Sequence, residues 1–399
     1  MSGRLRLLVA AFGDAGHAFP AIALARELAG RGHEVVVETW ERWREPVEDL
    51  GLGFAAAEEY KVFPPPPPDG SGGATAAAAA RALVPFIEGM RPDAVVSDIL
   101  TLAPALAAEA AGVRWATLIP HVYPPDEDSV PFFGMGLRPP RTSVGRALWR
   151  AGRPVLETGL RRGRRELNEV RADLGLAPLE RFHGGISEGL ALVATYPQLE
   201  YPRRWPEQVR ITGPMFFELP YPKVELPEGD GPLVLVAPST SQDPEGRLVH
   251  AALEALAEEP VRVVATTSRQ LEAPALAAPD NAMVVDWVSY SQVMPHASLV
   301  ICHGGHGTVA RVLAAGVPVL VSPAVGDMAE NGARVAWAGA GLMLPRRLLG
   351  PGSLRVVARR LLVDPRFAAR AGGIAAWAGE NDGAARGAGL VECFAVDGS

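Results

Sequence analysis

Short, nearly continuous apolar runs recur along the chain, each followed by a glycine-bearing loop and then a stretch with helical spacing. Residues 5–12, Leu5 through Phe12, form the first run, the pattern of a parallel strand covered on both faces. The loop Gly13-Asp14-Ala15-Gly16-His17 follows, and Pro20 suits the first turn of a helix whose face carries Ile22, Ala25, Leu28 and Ala29. Gly30 and Gly32 close that helix, and residues 33–39 predict the next strand. A β-α-β unit of this length implies a right-handed crossover and a parallel sheet.

The pattern repeats with a strand at 93–97, a helix at 102–111 and a strand at 115–119. Ahead of it stand five prolines, 64–68, then Asp69-Gly70-Ser71-Gly72-Gly73 and an Ala-rich helix from Ala74. This segment reads as a semi-rigid arm with a hinge, serving either as a surface loop or as a rim over a pocket. A second series begins after the Pro/Gly-rich stretch 213–232, with strands at 233–237, 261–266, 283–285, 299–302 and 318–321 and helices at 247–257 and 308–315. The expectation is an α/β protein of two Rossmann-like, doubly wound domains, 1–212 and 233–375, joined by the linker 213–232. Open α/β sheets bind ligands at the carboxyl ends of their strands, which makes the cleft between the domains the expected site.

Composition narrows the class. A chain of 399 residues suits two domains of roughly 200 each. With 48% hydrophobic and 21% charged residues, disorder is excluded as the dominant state. A net charge of −7 argues against nucleic acid or an anionic membrane as partner. Cys302 and Cys393 are the only cysteines, too few for a disulfide scaffold or a multi-cysteine zinc module. The apolar run after Arg6 is too short for a signal segment, and 312–326 is broken by Pro318 and Pro323 before it reaches membrane-spanning length. A soluble, cytoplasmic protein is expected.

The strongest local signal is Cys302-His303-Gly304-Gly305-His306-Gly307-Thr308, set between a strand and a helix. Glycines let the backbone approach a ligand, and a helix N-terminus offers free N–H groups and partial positive charge, a combination that favours phosphate. A plain structural turn is the alternative. No carboxylate or fourth ligand stands near Cys302, His303 and His306, so no metal is expected. Gly13, Gly16 and the strand-end Glu38 suggest a dinucleotide fingerprint, but Ala15 and Ala18 occupy its other glycine positions.

Taken together, Trp287-Val288-Ser289-Tyr290, His296, His303-Gly304-Gly305, Gly307-Thr308, Gly316-Val317-Pro318, Pro323, Asp327 and Asn331 resemble the donor-binding signature of family 1 glycosyltransferases. These are GT-B enzymes and include bacterial antibiotic glycosyltransferases; Gly16-His17 and Pro20 resemble their N-terminal motif. The resemblance implies an acceptor-binding first domain, a donor-binding second domain and a tail, 376–399, that crosses back to the first. It implies an inverting transfer of a hexose or deoxyhexose from a nucleotide diphosphate sugar, dTDP- or UDP-linked, to a hydroxyl of a small natural-product aglycone, without a cofactor.

The resemblance gives His17 the role of general base, which suits an imidazole titrating near neutrality. Asp98, at the same sheet edge, would orient it, or else cap the next helix. His303, the Gly304–Gly305 backbone, Gly307 and Thr308 would hold the diphosphate. Ser239, Thr240 and Ser241 would assist or merely cap a helix beginning near Asp243. Trp287 would stack on the base, with the Val288 backbone reading its edge, unless the indole belongs to the core. Asp327 and Glu330 or Asn331 would meet sugar hydroxyls. Arg311 and Met328 stand where the plant-type signature has glutamate on the ribose and glutamine on the sugar, and Tyr290 where it has glutamine. That departure suggests a dTDP-deoxyhexose donor. His121, Tyr123, Phe132, Phe133 and Met135 would form an apolar acceptor wall, or a surface loop. The basic run 161–165 reads as a solvated helix face.

Overall fold

The structure, a computed structural model of the chain, describes residues 3–57, 71–124, 131, 133–180, 185–239, 243, 245–268, 276, 278–324 and 327–397. The proline run, Phe132, Thr240 and Ser241 lie outside the described residues. Strands β1 (Arg6–Ala10), β2 (Glu34–Trp40), β3 (Gly53–Ala57), β4 (Ala94–Asp98), β5 (Trp115–Ile119), β6 (Ala191–Val193) and β7 (Val209–Ile211) build a seven-stranded sheet in the order β3-β2-β1-β4-β5-β6-β7. Every neighbouring pair in it is parallel. Helices α1 (Ala15–Gly30), α2 (Arg44–Glu48), α3 (Ser71–Met90), α4 (Leu102–Ala110) and α5 (Ser143–Asp173) lie between these strands in sequence.

The second sheet runs β10-β9-β8-β11-β12-β13, again all parallel, from β8 (Leu233–Ala237), β9 (Arg262–Thr266), β10 (Ala282–Val285), β11 (Leu299–Cys302), β12 (Val319–Val321) and β13 (Gly341–Met343). Its helices are α6 (Arg247–Leu256), α7 (Tyr290–Val293), α8 (His306–Ala314), α9 (Met328–Ala338), α10 (Pro351–Val363) and α11 (Pro365–Glu380), and α12 (Gly383–Asp397) ends the chain. In both sheets the strand order reverses once, between β1 and β4 and between β8 and β11, leaving a crevice at each carboxyl edge.

The apolar runs are fully buried because helices cover both faces. Leu7 and Val9 pack with Ile22, Leu24 and Leu28 of α1, while Leu8 packs with Ala77, Ala80 and Ile87 of α3. Each such side chain contributes about 1.5–3 kcal/mol on leaving water. Three helices begin earlier than their spacing suggested, α3 at Ser71 among them. The Asp14 carbonyl accepts from both His17 and Ala18 N–H, so α1 starts at Ala15 and His17 sits in its first turn, not in a loop. Pro20 consequently lies inside the helix. Likewise α8 starts at His306, making His306 and Gly307 first-turn residues.

Contacts across the lobes fix their arrangement. Tyr196 Oη donates to Ala310 O at 2.9 Å. Arg334, 1% exposed, donates to Glu330 Oε1 at 2.7 Å and to Glu200 Oε2 at 2.9 Å, with its guanidinium 3.7 Å from the Tyr201 ring centroid. Breaking such a buried network by removing one partner typically costs about 3–5 kcal/mol. Helix α12 lies on α1, where Glu392 accepts from Arg31 at 3.0 Å and pairs with His33 at 2.8 Å.

Candidate active site

The switch point of the first sheet brings His17 and Asp98 together. His17 comes from the turn after β1 and Asp98 is the last residue of β4, the strand next to β1. His17 Nδ1 lies 2.8 Å from Asp98 Oδ2, and the carboxylate is fully buried. Asp98 Oδ1 accepts from Leu100 N–H at 2.8 Å, while Thr101 occupies the cap position of α4. A carboxylate only accepts, so Nδ1 carries the proton and Nε2 is left with a lone pair. Burial, the largest influence, pulls the His17 imidazole down; the charge and hydrogen bond of Asp98, with help from Asp327 and Asp14, carry it above its ordinary 6.5.

Aromatic rings surround this imidazole. Phe12 lies 6.1 Å from it edge-on, and Trp40 packs on Phe12 at 4.8 Å. His121 lies 6.0 Å from His17, and Phe133 lies 5.3 Å from His121. His121 donates from Nδ1 to Val122 O, and burial together with neighbouring His17 pushes it down, keeping the ring neutral. Tyr123 does not join this wall: it is 4% exposed and packs on Trp205 in a separate cluster. Met135 is 57% exposed.

The second lobe presents the glycine loop. Gly304 has φ +93, and a Cβ there would lie 2.6 Å from Val321 Cγ1 and 2.9 Å from Met328 O, so the turn requires glycine. A side chain on Gly305 would run into His303 Nε2, whereas Gly307 faces open space. The first-turn N–H groups of α8, among them Gly307 and Thr308, have no acceptor within the helix. His303 Nδ1 approaches Ala237 O at 3.3 Å, and burial pushes its imidazole down. In the neutral ring Nε2 is then an acceptor, so His303 donates to a phosphate only once it takes up a proton. Cys302 is buried, and its thiol is pushed up to about 12, giving no thiolate. Among the described residues no three His, Cys, Asp or Glu side chains gather as a metal site.

Asp327 and Asn331 diverge. Asn331 is 1% exposed, donating to Gly304 O at 2.9 Å and Asp327 Oδ2 at 3.1 Å, with its carbonyl 3.4 Å from His306 Nδ1. It braces the glycine loop through the Gly304 carbonyl. Glu330 is fully buried on Arg334. The Asp327 carboxylate acts on His17 and His121 of the first lobe and on His303 and His306 of the second. All four imidazoles therefore lie within electrostatic reach of one carboxylate.

Trp287 is half-buried with Tyr221 of the linker against it at 5.4 Å, and Val288 is buried. Tyr290 hydrogen-bonds Thr308, and burial pushes its phenol up to about 12. Ser239 is buried at the end of β8. The cap of α6 belongs to Asp243, which accepts from Arg247 and Leu248 N–H. Arg311 is not solvent-facing: it donates to Phe217 O and lies 4.9 Å over the Phe216 ring. Beside it stands a residue that sequence reasoning missed. Glu218 Oε1 accepts from Tyr290 N–H at 2.7 Å and Ser289 Oγ at 3.2 Å, putting a linker carboxylate next to the guanidinium. No local motif in the linker announces it.

Two parallel-sheet lobes with a buried His–Asp pair on one and a glycine-rich helix N-terminus on the other define a GT-B glycosyltransferase. The glycosyltransferase of kitacinnamycin superposes with TM-score 0.77 at 21% identity, covering 98% of this chain and 99% of that one. The calicheamicin glycosyltransferase CalG4 gives 0.75 at 23%, covering 98% of each. Residues 250–381 match the family described as erythromycin biosynthesis protein CIII-like, C-terminal domain. Over 398 residues the chain is 30% identical to 4'-demethylrebeccamycin synthase of Lentzea aerocolonigenes, covering 91% of this chain and 93% of that protein. Over 404 residues it is 29% identical to O-mycaminosyltylonolide 6-deoxyallosyltransferase of Streptomyces fradiae, covering 92% of each. The chain belongs to this family of antibiotic and natural-product glycosyltransferases. Among the described residues no helix is long and apolar enough to cross a membrane.

Proposed function

We propose that the protein transfers a deoxyhexose from a dTDP-sugar to a hydroxyl of a small aglycone, with inversion. The observation that carries this is the 2.8 Å His17–Asp98 pair on one lobe, with Asp327 of the other lobe close enough to act on both His17 and His303. The acceptor O–H gives its proton to His17 Nε2 as its oxygen forms a bond to the anomeric carbon. The anomeric C–O bond breaks on the opposite side, and its electron pair leaves with the diphosphate. Asp98 stabilises the imidazolium that results. The α8 N-terminus, Thr308 and protonated His303 meet the growing negative charge, so the reading requires no divalent metal.

The thymidine preference rests on Arg311 and Met328, and a structural neighbour, VinC, is described in complex with dTDP. Titration of dTDP against UDP tests it: tighter dTDP binding is expected, and a clear preference for UDP removes this part of the reading. His17→Ala should abolish transfer while leaving nucleotide affinity nearly intact, since the imidazole serves the acceptor. Unchanged turnover in that variant would refute the base assignment.

A further inference from the structure

The carboxyl edge of the first sheet holds one buried acid that the chemistry above does not use. Glu38 on β2 pairs with Ala10 of β1 and Ala55 of β3. Val35 and Val37 pack on the α1 side, so Glu38, like Val36, faces the side covered by α3. Trp40 follows on that same face and packs on Phe12, the ring that touches His17. Both strand neighbours of Glu38 are alanines, and Ala76, Ala77 and Ala80 of α3 belong to the cluster on this face of the sheet.

Glu38 is 8% exposed, yet among the described residues its Oε2 has no hydrogen-bond partner. Burial pushes the carboxyl up to about 7. A polar group desolvated this way weakens the free protein, and its oxygen remains available for a donor that arrives with a ligand.

We propose that Glu38 is an acceptor-recognition residue, its carboxyl oxygen accepting a hydrogen bond from a second O–H or N–H on the aglycone, remote from the hydroxyl that reacts at His17. The inference rests on the acceptor-site reading above. The acceptor class it implies is an elongated, largely apolar aglycone with hydrogen-bond donors at both ends. A site built around such a donor discriminates strongly against the analogue lacking it, because the buried acceptor is left unpaired.

The test uses the full chain, the dTDP-deoxyhexose dTDP-L-rhamnose, and as acceptors daidzein and emodin alongside their monomethyl ethers. Wild type should prefer the free phenol over its best ether by about tenfold or more in kcat/KM. Glu38→Ala should erase that preference and leave dTDP affinity unchanged. Glu38→Gln should raise Tm at pH 8, where the buried acid is ionised, and leave it unchanged at pH 4, where it is protonated folded or unfolded. A preference kept intact in Glu38→Ala overturns the inference. So does a Tm loss in Glu38→Gln with uniformly reduced turnover of phenols and ethers, the mark of a structural role. Wild type that glycosylates none of the panel overturns the acceptor-site reading and this inference together, whereas turnover insensitive to Glu38 overturns the inference alone.

Discussion

Asp98→Asn isolates the electrostatic part of the proposed base. The substitution keeps shape and retains a carbonyl oxygen for the Leu100 N–H, but removes the charge 2.8 Å from His17 Nδ1. A hydrogen bond to a charged group contributes about 1.5–3 kcal/mol, and losing it lowers the His17 pKa. The direction is fixed by what remains: burial, already the largest influence, then acts with far less opposition and carries the imidazole below 6.5. In wild type, kcat/KM should decline as pH falls through the raised His17 value; in the variant that acidic limb moves to lower pH. The plateau should also drop, by about 10²–10⁴-fold, because the amide can donate to Nδ1 and favour the tautomer whose Nε2 is already protonated. The folding contribution of the pair is fully present below about pH 6.5 and lost as pH rises through the folded-state value. Proton NMR titration of the ring C–H signals, with the His17 resonance assigned by its absence in His17→Ala, measures the pKa directly. An unmoved pKa, or a plateau within about threefold of wild type, would refute the coupling.

Two further outcomes follow from the second lobe. Gly304→Ala forces a side chain into φ +93 and against Val321 and Met328 O, which should cost about 2–4 kcal/mol in urea unfolding and weaken dTDP binding; a stability change under about 0.5 kcal/mol would show that the loop relaxes freely. Because burial holds His303 neutral while its Nδ1 faces a carbonyl, dTDP binding near pH 7.5 should take up a proton, seen as calorimetric heats that vary with buffer ionisation enthalpy and vary less in His303→Gln. Equal heats in all buffers for wild type would remove the protonated-His303 contact.

Legibility in the sequence followed the range of the interactions involved. The strands at 233–237 and 299–302 were readable to the residue because burial on both faces makes them apolar throughout. Helix starts were not: His17 and His306 lie inside α1 and α8 because backbone bonds to Asp14 O and Gly305 O close the first turns, a geometry no side chain announces. The three-residue strands β6, β7 and β13 are too short to show a period. Helix α5 carries Pro154, several glycines and a dense run of arginines, which masked the helical period its 31 residues do show. At the site, the need for glycine at Gly304 is local and was legible in the strand–helix turn. The bond from Asn331 to the Gly304 carbonyl was not, since its type suits a sugar hydroxyl as well, and only packing brings the two together. Glu218 and Arg334 act across 72 and 134 residues of chain, on Tyr290 and Glu200 respectively, and such partners leave no spacing to read. Glu38 is the intermediate case. An acid inside an apolar strand is visible in sequence, but whether it is paired decides whether it steadies the fold or waits for a ligand, and pairing is a property of the folded edge alone.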